Sequence, residues 1–220
     1  MKFFNLFIIL LLIFGCSSDK DTAEFEKVLG KENSETLTYL VNDFESDFLK
    51  KQYPDLSTKN AYRRFLTELT NGKVNQIKNV SKKSRNRFEQ SNLKSEIYSY
   101  VDSVWIENDF IIKQRFPHKS HDGVIGYNTV TSHSEYIPNG FDQDSLFAAK
   151  KNSRVLNHLG RYWAAFDSIK ERNDFMKEYY KIKTIMGILN PKTVEDMLLN
   201  SHIDFSDYYI KRIIIIDYVY

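Results

Sequence analysis

Apolar residues recur at spacings of three and four along most of this chain, and that period limits the fold more than any other feature of the sequence. Because an α-helix has about 3.6 residues per turn, residues at these spacings lie on one helical face. Three such stripes predict three amphipathic helices. Their members are Leu37, Leu40, Val41, Phe44 and Phe48; Tyr62, Phe65, Leu66 and Leu69; and Phe175, Tyr179, Ile182, Met186 and Leu189.

The first two predicted helices have suitable residues at both ends. Side chains that cap helices precede each one, and residues that end helices follow. Because few residues separate the two helices, we predict that they pack as an antiparallel pair. The caps are Asn33 or Ser34 and Ser57 or Thr58, and the terminating residues are Pro54, Asn71 and Gly72.

Two more segments show the helical period, residues 84–107 and residues 144–169, although Gly160 interrupts the second. We therefore predict an all-α fold, a single helical domain of about six to eight helices. The apolar residues of the two segments are Leu93, Ile97, Tyr100, Val101, Val104 and Trp105; and Leu156, Leu159, Trp163 and Phe166.

Two segments do not follow this pattern. Residues 116–141 combine two prolines and three glycines with alternating Val and Ile, which predicts a long loop or a small hairpin. Residues 210–220 contain four consecutive isoleucines and no polar face, which is compatible with a buried helix or a central strand. We predict a helix there, with Ser206 as its cap.

Composition and charge exclude several classes of protein. The chain has 220 residues, of which 42% are hydrophobic and 15% aromatic, so it can bury a substantial core and is not disordered over most of its length. The 31 Lys and Arg residues nearly balance the 29 Asp and Glu residues. A net charge of +2 gives no reason to expect nucleic acid as a partner.

The chain begins with a short apolar leader. Lys2 precedes residues 3–14, which are all Phe, Leu or Ile except Asn5. As a helix these residues would span about 18 Å, well short of the roughly 30 Å hydrocarbon layer of a bilayer. The pattern is typical of a signal peptide rather than a permanent transmembrane helix.

The leader ends in Ile13, Phe14, Gly15 and Cys16, which resembles the lipobox of bacterial lipoproteins. The resemblance covers residues 1–20 only. It implies that Cys16 carries a lipid on its sulfur, that the signal is cut before Cys16, and that the new amino group is acylated. Ser17, at the second mature position, resembles the sorting pattern of Gram-negative lipoproteins of the outer membrane.

This resemblance sets the expected organisation and location. Residues 1–15 form the signal peptide, residues 16–32 the lipidated N-terminus, tether and short first helix, and residues 33–220 the helical domain. Cys16 is the only cysteine of the chain, so no disulfide is available to it. Several acyl chains anchor a protein durably, so we expect a protein held on the outer membrane, facing the periplasm or the cell surface.

Residues that suit catalysis or metal binding are sparse. The chain has no GxSxG sequence and no Gly-rich phosphate loop, and Cys16 is consumed by lipidation. His118, His121 and His133 lie within sixteen residues, near Asp122 and Glu135. Imidazole and carboxylate groups suit zinc, although the spacing matches no known zinc motif. We expect no catalytic residue, with a zinc site at the three histidines as the alternative.

Between residues 68 and 89 the chain carries six basic residues and no acidic one. Such a basic strip suits an anionic membrane surface, where each cation contributes about 1 kcal/mol, or an acidic partner protein. A solvated helix face explains the same pattern. The strip consists of Lys73, Lys78, Lys82, Lys83, Arg85 and Arg87.

Three functional hypotheses remain open. The first is a non-catalytic binding or interaction module that contacts another protein of the cell envelope, since anchoring, balanced charge and missing catalytic motifs favour it. The second is a metal-binding or metal-dependent hydrolytic lipoprotein that uses the three histidines. The third is a spacer whose basic strip rests on the membrane surface.

Overall fold

A computed structural model describes residues 20–73, 80–108, 110–133 and 142–220. Eleven α-helices lie in these ranges, and we number the ten that are longer than one turn. They are α1 (20–29), α2 (Lys31–Asp43), α3 (Thr58–Thr70), α4 (Lys82–Gln90), α5 (Asn92–Ile97), α6 (Gln143–Lys150), α7 (Arg161–Ile169), α8 (Asp174–Met186), α9 (Pro191–Asn200) and α10 (Tyr208–Tyr218). A π-helical stretch, Phe44–Leu49, and a short α-helix, Lys50–Gln52, continue α2, and a 3-10 turn, Lys170–Arg172, continues α7.

The all-α prediction is wrong, because the fold is mixed α/β with 61% helix, 16% strand and two antiparallel sheets. A two-stranded sheet joins β1 to β5, and a three-stranded sheet has the order β2-β3-β4. We call the three-stranded sheet the hairpin sheet and the remainder of the described structure the helical body. The strands are β1 (Tyr98–Tyr100), β2 (Ser103–Asn108), β3 (Ile111–Lys119), β4 (Ile125–His133) and β5 (Arg154–Leu156).

The helix predicted over residues 84–107 ends in strands because its second half fits two periods. Leu93 and Ile97 are buried on α5, as the helical spacing requires. From Tyr98 onward, however, aromatic and β-branched residues also alternate at a period of two, which suits strands. Val104 is buried while Trp105, the next residue, is only partly buried, so tertiary packing selects the strand.

The helix predicted over residues 144–169 is likewise divided into α6, β5 and α7. Gly160 precedes α7 as its N-cap. A Cβ atom at Gly160 would lie 2.2 Å from the carbonyl oxygen of Glu96, so only glycine permits this close approach of two backbone segments. The interruption noted in the sequence therefore marks a change of direction.

The two ambiguous segments are resolved in favour of a hairpin and a helix. β3 and β4 pair in antiparallel register from Ile111 opposite His133 to Lys119 opposite Ile125, and the remaining residues 134–141 lie outside the described residues. The isoleucine run forms α10, whose residues 213–216 are at most 2% exposed, so a polar face is unnecessary. Asp207, not Ser206, caps this helix.

The caps agree with the sequence in part. Ser57 accepts a hydrogen bond from the Asn60 backbone N–H, as predicted. Asn173 caps α8 in the same way, by accepting a hydrogen bond from the Met176 backbone N–H. Asn33 and Ser34 are not caps, because α2 already begins after Gly30. Gly30 has a φ of 87°, which glycine adopts readily and other residues rarely do.

Two apolar clusters of very different size hold the fold together. The main core joins helices from both ends of the chain, including Phe25 of α1 and Phe166 of α7, whose ring centroids are 5.2 Å apart. The hairpin sheet has a separate small core. It consists of Val101, Val104, Phe116 and Leu146.

Candidate functional site

The structure places the predicted basic strip on more than one surface. Lys83 Nζ and Arg87 Cζ lie 5.6 and 4.3 Å from the centroid of the Tyr39 ring, which is a cation–π arrangement. Arg85, on the same helix, lines a cavity instead. Lys82 and Lys73 are exposed, whereas Lys78 and the predicted lipidation site Cys16 lie outside the described residues.

The three histidines of the predicted zinc site are not brought together. In the β3–β4 ladder His118 lies opposite Gly126 and His133 lies opposite Ile111, so the two imidazoles are seven residues apart along the hairpin, roughly 23 Å. They also point to opposite faces of the sheet, because side chains alternate along a strand. His121 lies in the exposed turn between the strands, and Glu135 lies outside the described residues.

A zinc ion requires its ligands within about 2.3 Å of the metal, which this arrangement does not provide. Within the described ranges no group of three or more His, Cys, Asp or Glu side chains could hold a metal ion. The zinc site therefore stays a prediction from the sequence that gains no support from the strand register.

A different group of residues forms the best candidate site, at the junction between the helical body and the hairpin sheet. One cavity of about 360 Å³ lies between α4 and the end of α10. A second cavity of about 480 Å³ lies between β4, β5 and the loop that follows α8. Arg154 and Ile188 line both cavities, so we treat the two as one depression and call it the junction groove.

Arg154 occupies the centre of the junction groove in a fixed orientation. Its Nη1 donates a hydrogen bond of 2.9 Å to the main-chain oxygen of Tyr220, and its Cζ lies 4.1 Å from the centroid of the Tyr98 ring. The ring is held in turn, since the Tyr98 hydroxyl donates to the Ile216 carbonyl at 3.3 Å. Arg154 takes part in none of the ion pairs found among the described residues. Its guanidinium also interacts with the Tyr100 hydroxyl and with the charge of Glu89, which lines the same cavity.

The acidic groups of the junction groove are already engaged. Asp217 accepts hydrogen bonds from Lys183 Nζ at 2.7 Å and from the Tyr179 hydroxyl at 2.9 Å. The side chains of Lys183 and Asp217 are 3% and 7% exposed, so this ion pair is shielded from water. Glu89 likewise pairs with Lys94 at 2.5 Å. Both carboxylates that line the groove therefore accept a hydrogen bond from a lysine of the protein itself.

Two aromatic groups at the groove remain uncharged near neutral pH. Burial raises the pKa of Tyr220 to about 12, so its hydroxyl keeps its proton and hydrogen-bonds Ser84 of α4. His158 lies in the second cavity, with its ring centroid 5.8 Å from that of Trp163. Partial burial, together with the nearby charge of Lys183, lowers the pKa of His158.

The rim of the junction groove is apolar and open to solvent. Ile185 and Met186, at the end of α8, are 74% and 67% exposed, and Ile188 is 45% exposed. Val130 of β4 faces the same cavity from the sheet and is 38% exposed. Gly187 has a φ of 72°, which produces the sharp turn between Met186 and Ile188. Exposed apolar residues grouped around a cavity are characteristic of binding surfaces.

The sequence did not reveal this site, with the exception of Arg85. Arg154, His158 and Asp217 line the groove, and they belong to no motif with fixed spacing. Only the tertiary fold brings them to one depression. Met186 belongs to the predicted apolar stripe of α8, but the structure exposes it together with Ile185, so that part of the prediction is wrong. The available signal was that the two apolar residues are consecutive, since one helical face cannot bury both.

Among the helices that the structure describes, none combines the length and the apolar character needed to cross a bilayer. The chain matches no protein-family model, no curated protein and no solved structure.

Proposed function

We propose that this protein is a bacterial lipoprotein of the outer membrane, anchored through Cys16, whose folded domain is a non-catalytic binding module that acts through the junction groove. The observation that carries the proposal is the placement of an arginine, held in position by Tyr98 and Tyr220, beside an exposed apolar rim. This combination suits a ligand that presents both apolar side chains and a negative charge.

The two parts of the groove contribute in different ways. Covering the rim residues Ile185, Met186 and Ile188 removes apolar surface from water, which is favourable by about 25 cal/mol per Å². Arg154 supplies a charge-assisted hydrogen bond, which is roughly twice as strong as a neutral one and fixes the orientation of the ligand. Its guanidinium is already held by Tyr98 and Tyr220, so little conformational freedom is lost on binding.

The state of the ionisable groups supports binding rather than catalysis. A general acid or base must exchange a proton with its substrate, yet Asp217 is saturated by Lys183 and Tyr179 inside the protein. Glu89 is paired with Lys94 on the surface. These bonds stabilise the groove walls and do not present a reactive group.

Site-specific photo-crosslinking tests where the module binds. A photoreactive amino acid at Met186 in the full-length protein, expressed in its native envelope, should give a covalent adduct with one defined species. The matched control places the same group at Leu56, which is also an exposed apolar residue at 42% but lies beside a different cavity. Equal adducts at both positions, or none at Met186, would contradict the proposed function.

Anchoring is tested separately. Mature protein should carry a lipid on Cys16 and lack residues 1–15, as shown by mass spectrometry and by metabolic labelling with a fatty acid. A Cys16→Ser variant should lose the label and leave the membrane fraction. An unmodified thiol at Cys16, or a retained leader, would contradict the anchoring part of the proposal.

A further inference from the structure

One edge of the hairpin sheet, formed by β4, lies next to the junction groove. β4 pairs with β3 on one side, and within the described ranges it has no strand partner on the other side. In an antiparallel strand about half of the backbone N–H and C=O groups point away from the paired neighbour. The opposite edge strand, β2, differs because α6 packs against it. β4 therefore presents a row of backbone donors and acceptors to its surroundings.

β4 also lacks the features that normally protect an edge strand. Natural edge strands are shielded by lysine, proline, inward-pointing charges, bulges or short length. Residues 125–133 contain no Lys, Arg, Asp, Glu or Pro, and the strand is nine residues long. Its register with β3 is continuous from residue 125 to residue 133, without a bulge. Ile125 and Tyr127 are 69% and 60% exposed.

The open edge borders the same cavity as Arg154. Asn128, Thr129 and Val130 of β4 line the second cavity of the junction groove together with Arg154 and His158. An added strand lies about 4.8 Å from its neighbour in the plane of the sheet. A chain paired with β4 would consequently cross the groove, with every second side chain directed into it.

We propose that the ligand of the junction groove is an extended peptide segment of a partner protein, which pairs with β4 as a fourth strand and directs an acidic group to Arg154. The proposal rests on the proposed function and specifies its ligand. The backbone of the peptide satisfies the open edge, its apolar side chains contact Val130 and Ile188, and its carboxylate forms a charge-assisted hydrogen bond with Arg154. This is recognition by strand addition, in which backbone bonds give affinity and alternate side chains give specificity.

Charge favours a partner peptide over other occupants. A second copy of this chain, paired β4 to β4, would bring no Asp or Glu to Arg154, because residues 125–133 contain neither. A lipid would cover the apolar rim, but its acyl chain has no groups to bond the open backbone of β4. An acidic extended peptide meets all three features of the site.

Selection of displayed random dodecapeptides on the detergent-solubilised full-length protein supplies the probe. Enriched peptides should alternate apolar residues and carry at least one Asp or Glu. Arg154→Gln should weaken their binding by at least tenfold, and so should Val130→Lys. The matched control, Thr131→Lys, places the same charge on the other face of β4 and should change affinity less than twofold. Thermal melting of each variant checks that it is folded.

A second measurement reads the strand pairing directly. Upon binding, amide hydrogen exchange should slow at alternate residues of 125–133, and methylation of alternate amide nitrogens along one edge of the peptide should abolish binding.

Binding that depends on Arg154 without protection of β4 would overturn strand addition and leave the binding-module function intact. If the protein forms a dimer that Val130→Lys dissociates, the occupant of the groove is a second copy of this chain and the partner-peptide proposal is wrong. The partner-peptide proposal is also wrong if the selection enriches no peptide. Failure of the Met186 crosslink, in contrast, contradicts the proposed binding-module function itself.

Discussion

The helical body and the hairpin sheet use their apolar residues in opposite ways. In the helical body large aromatic side chains are fully enclosed, as Phe25, Phe166 and Tyr179 illustrate at 0% exposure. In the hairpin sheet only Val104 and Phe116 are buried among the apolar strand residues, and β4 is exposed along most of its length. The helical body therefore contains most of the buried apolar surface, while the hairpin sheet keeps apolar surface in contact with water.

This difference indicates a division of roles. A large enclosed core resists local opening, whereas a sheet with a small core opens at lower free energy. Binding sites commonly use such weakly packed elements positioned on a rigid scaffold. Here the junction groove lies where the two regions meet, with Arg154 held by the helical body and Val130 supplied by the sheet.

The largest expected effect comes from the main core. Phe166→Ala removes a ring that lies 5.2 Å from Phe25 and 5.0 Å from Tyr162. Because the surrounding side chains are themselves enclosed, they collapse little into the cavity, and we expect a loss of about 4 kcal/mol in the free energy of unfolding. Urea denaturation measures it. A loss of about 2 kcal/mol or less would show that the helical body is packed as loosely as the hairpin sheet.

The second effect concerns the buried ion pair behind the groove. Lys183→Met leaves Asp217 buried without its cation, which should cost about 3 kcal/mol of unfolding free energy. The double variant Lys183→Met with Asp217→Leu removes both charges, and we expect it to regain most of that loss in urea denaturation. If the single and double variants are equally unstable, the pair contributes by packing and not by charge compensation.

The third prediction concerns the small core of the hairpin sheet. Phe116→Ala removes the largest side chain of the small core, and we expect a loss of about 2 kcal/mol, since its partly exposed neighbours can move into the space. Amide hydrogen exchange should accelerate in β2, β3 and β4 but not in α7 or α10. Equal acceleration in both regions would contradict the division between them.

The same contrast explains which parts of the fold the sequence could predict. The helices around Leu37, Phe65 and Tyr179 were correctly predicted, because each buries one wide stripe in the main core and the period is unambiguous. β2 was missed, since Val104 and Trp105 fit a helical stripe as well as an alternating strand. Only contacts between residues distant in sequence decide between a helix and a strand in this segment.

The candidate site was less predictable than the fold. The histidines were close in sequence, but the hairpin register places His118 and His133 at opposite ends of the ladder. Conversely, Arg154 and Asp217 are far apart in sequence and line one cavity. Proximity along the chain indicates a site only when the local structure is compact, and an extended hairpin is not.

The smallest expected effect comes from breaking an ion pair on the surface of the hairpin sheet. Its cost in unfolding free energy can be compared with the cost of breaking the buried pair of the helical body. Arg115 donates two hydrogen bonds to Asp102, at 2.9 and 3.0 Å, yet both side chains are more than one third exposed. Water and salt screen this pair, so we expect Asp102→Asn to cost below about 1 kcal/mol at pH 7. The buried pair, by contrast, should lose several times more when one partner is removed.

The pH dependence of the surface pair has a definite sign. The hydrogen bonds from Arg115 lower the pKa of Asp102, so the pair stabilises the folded state above the unfolded pKa of about 3.9 and loses this contribution as the pH falls through the lower folded value. Urea denaturation of the wild type and Asp102→Asn at pH 7 and in acid should show a difference that vanishes in acid and shrinks in salt. In the Asp102→Asn background, Arg115→Gln should cost less than it does in the wild type, because the shared interaction is already gone. A difference that persists unchanged in acid would mean that Asp102 acts through its backbone position and not through its charge.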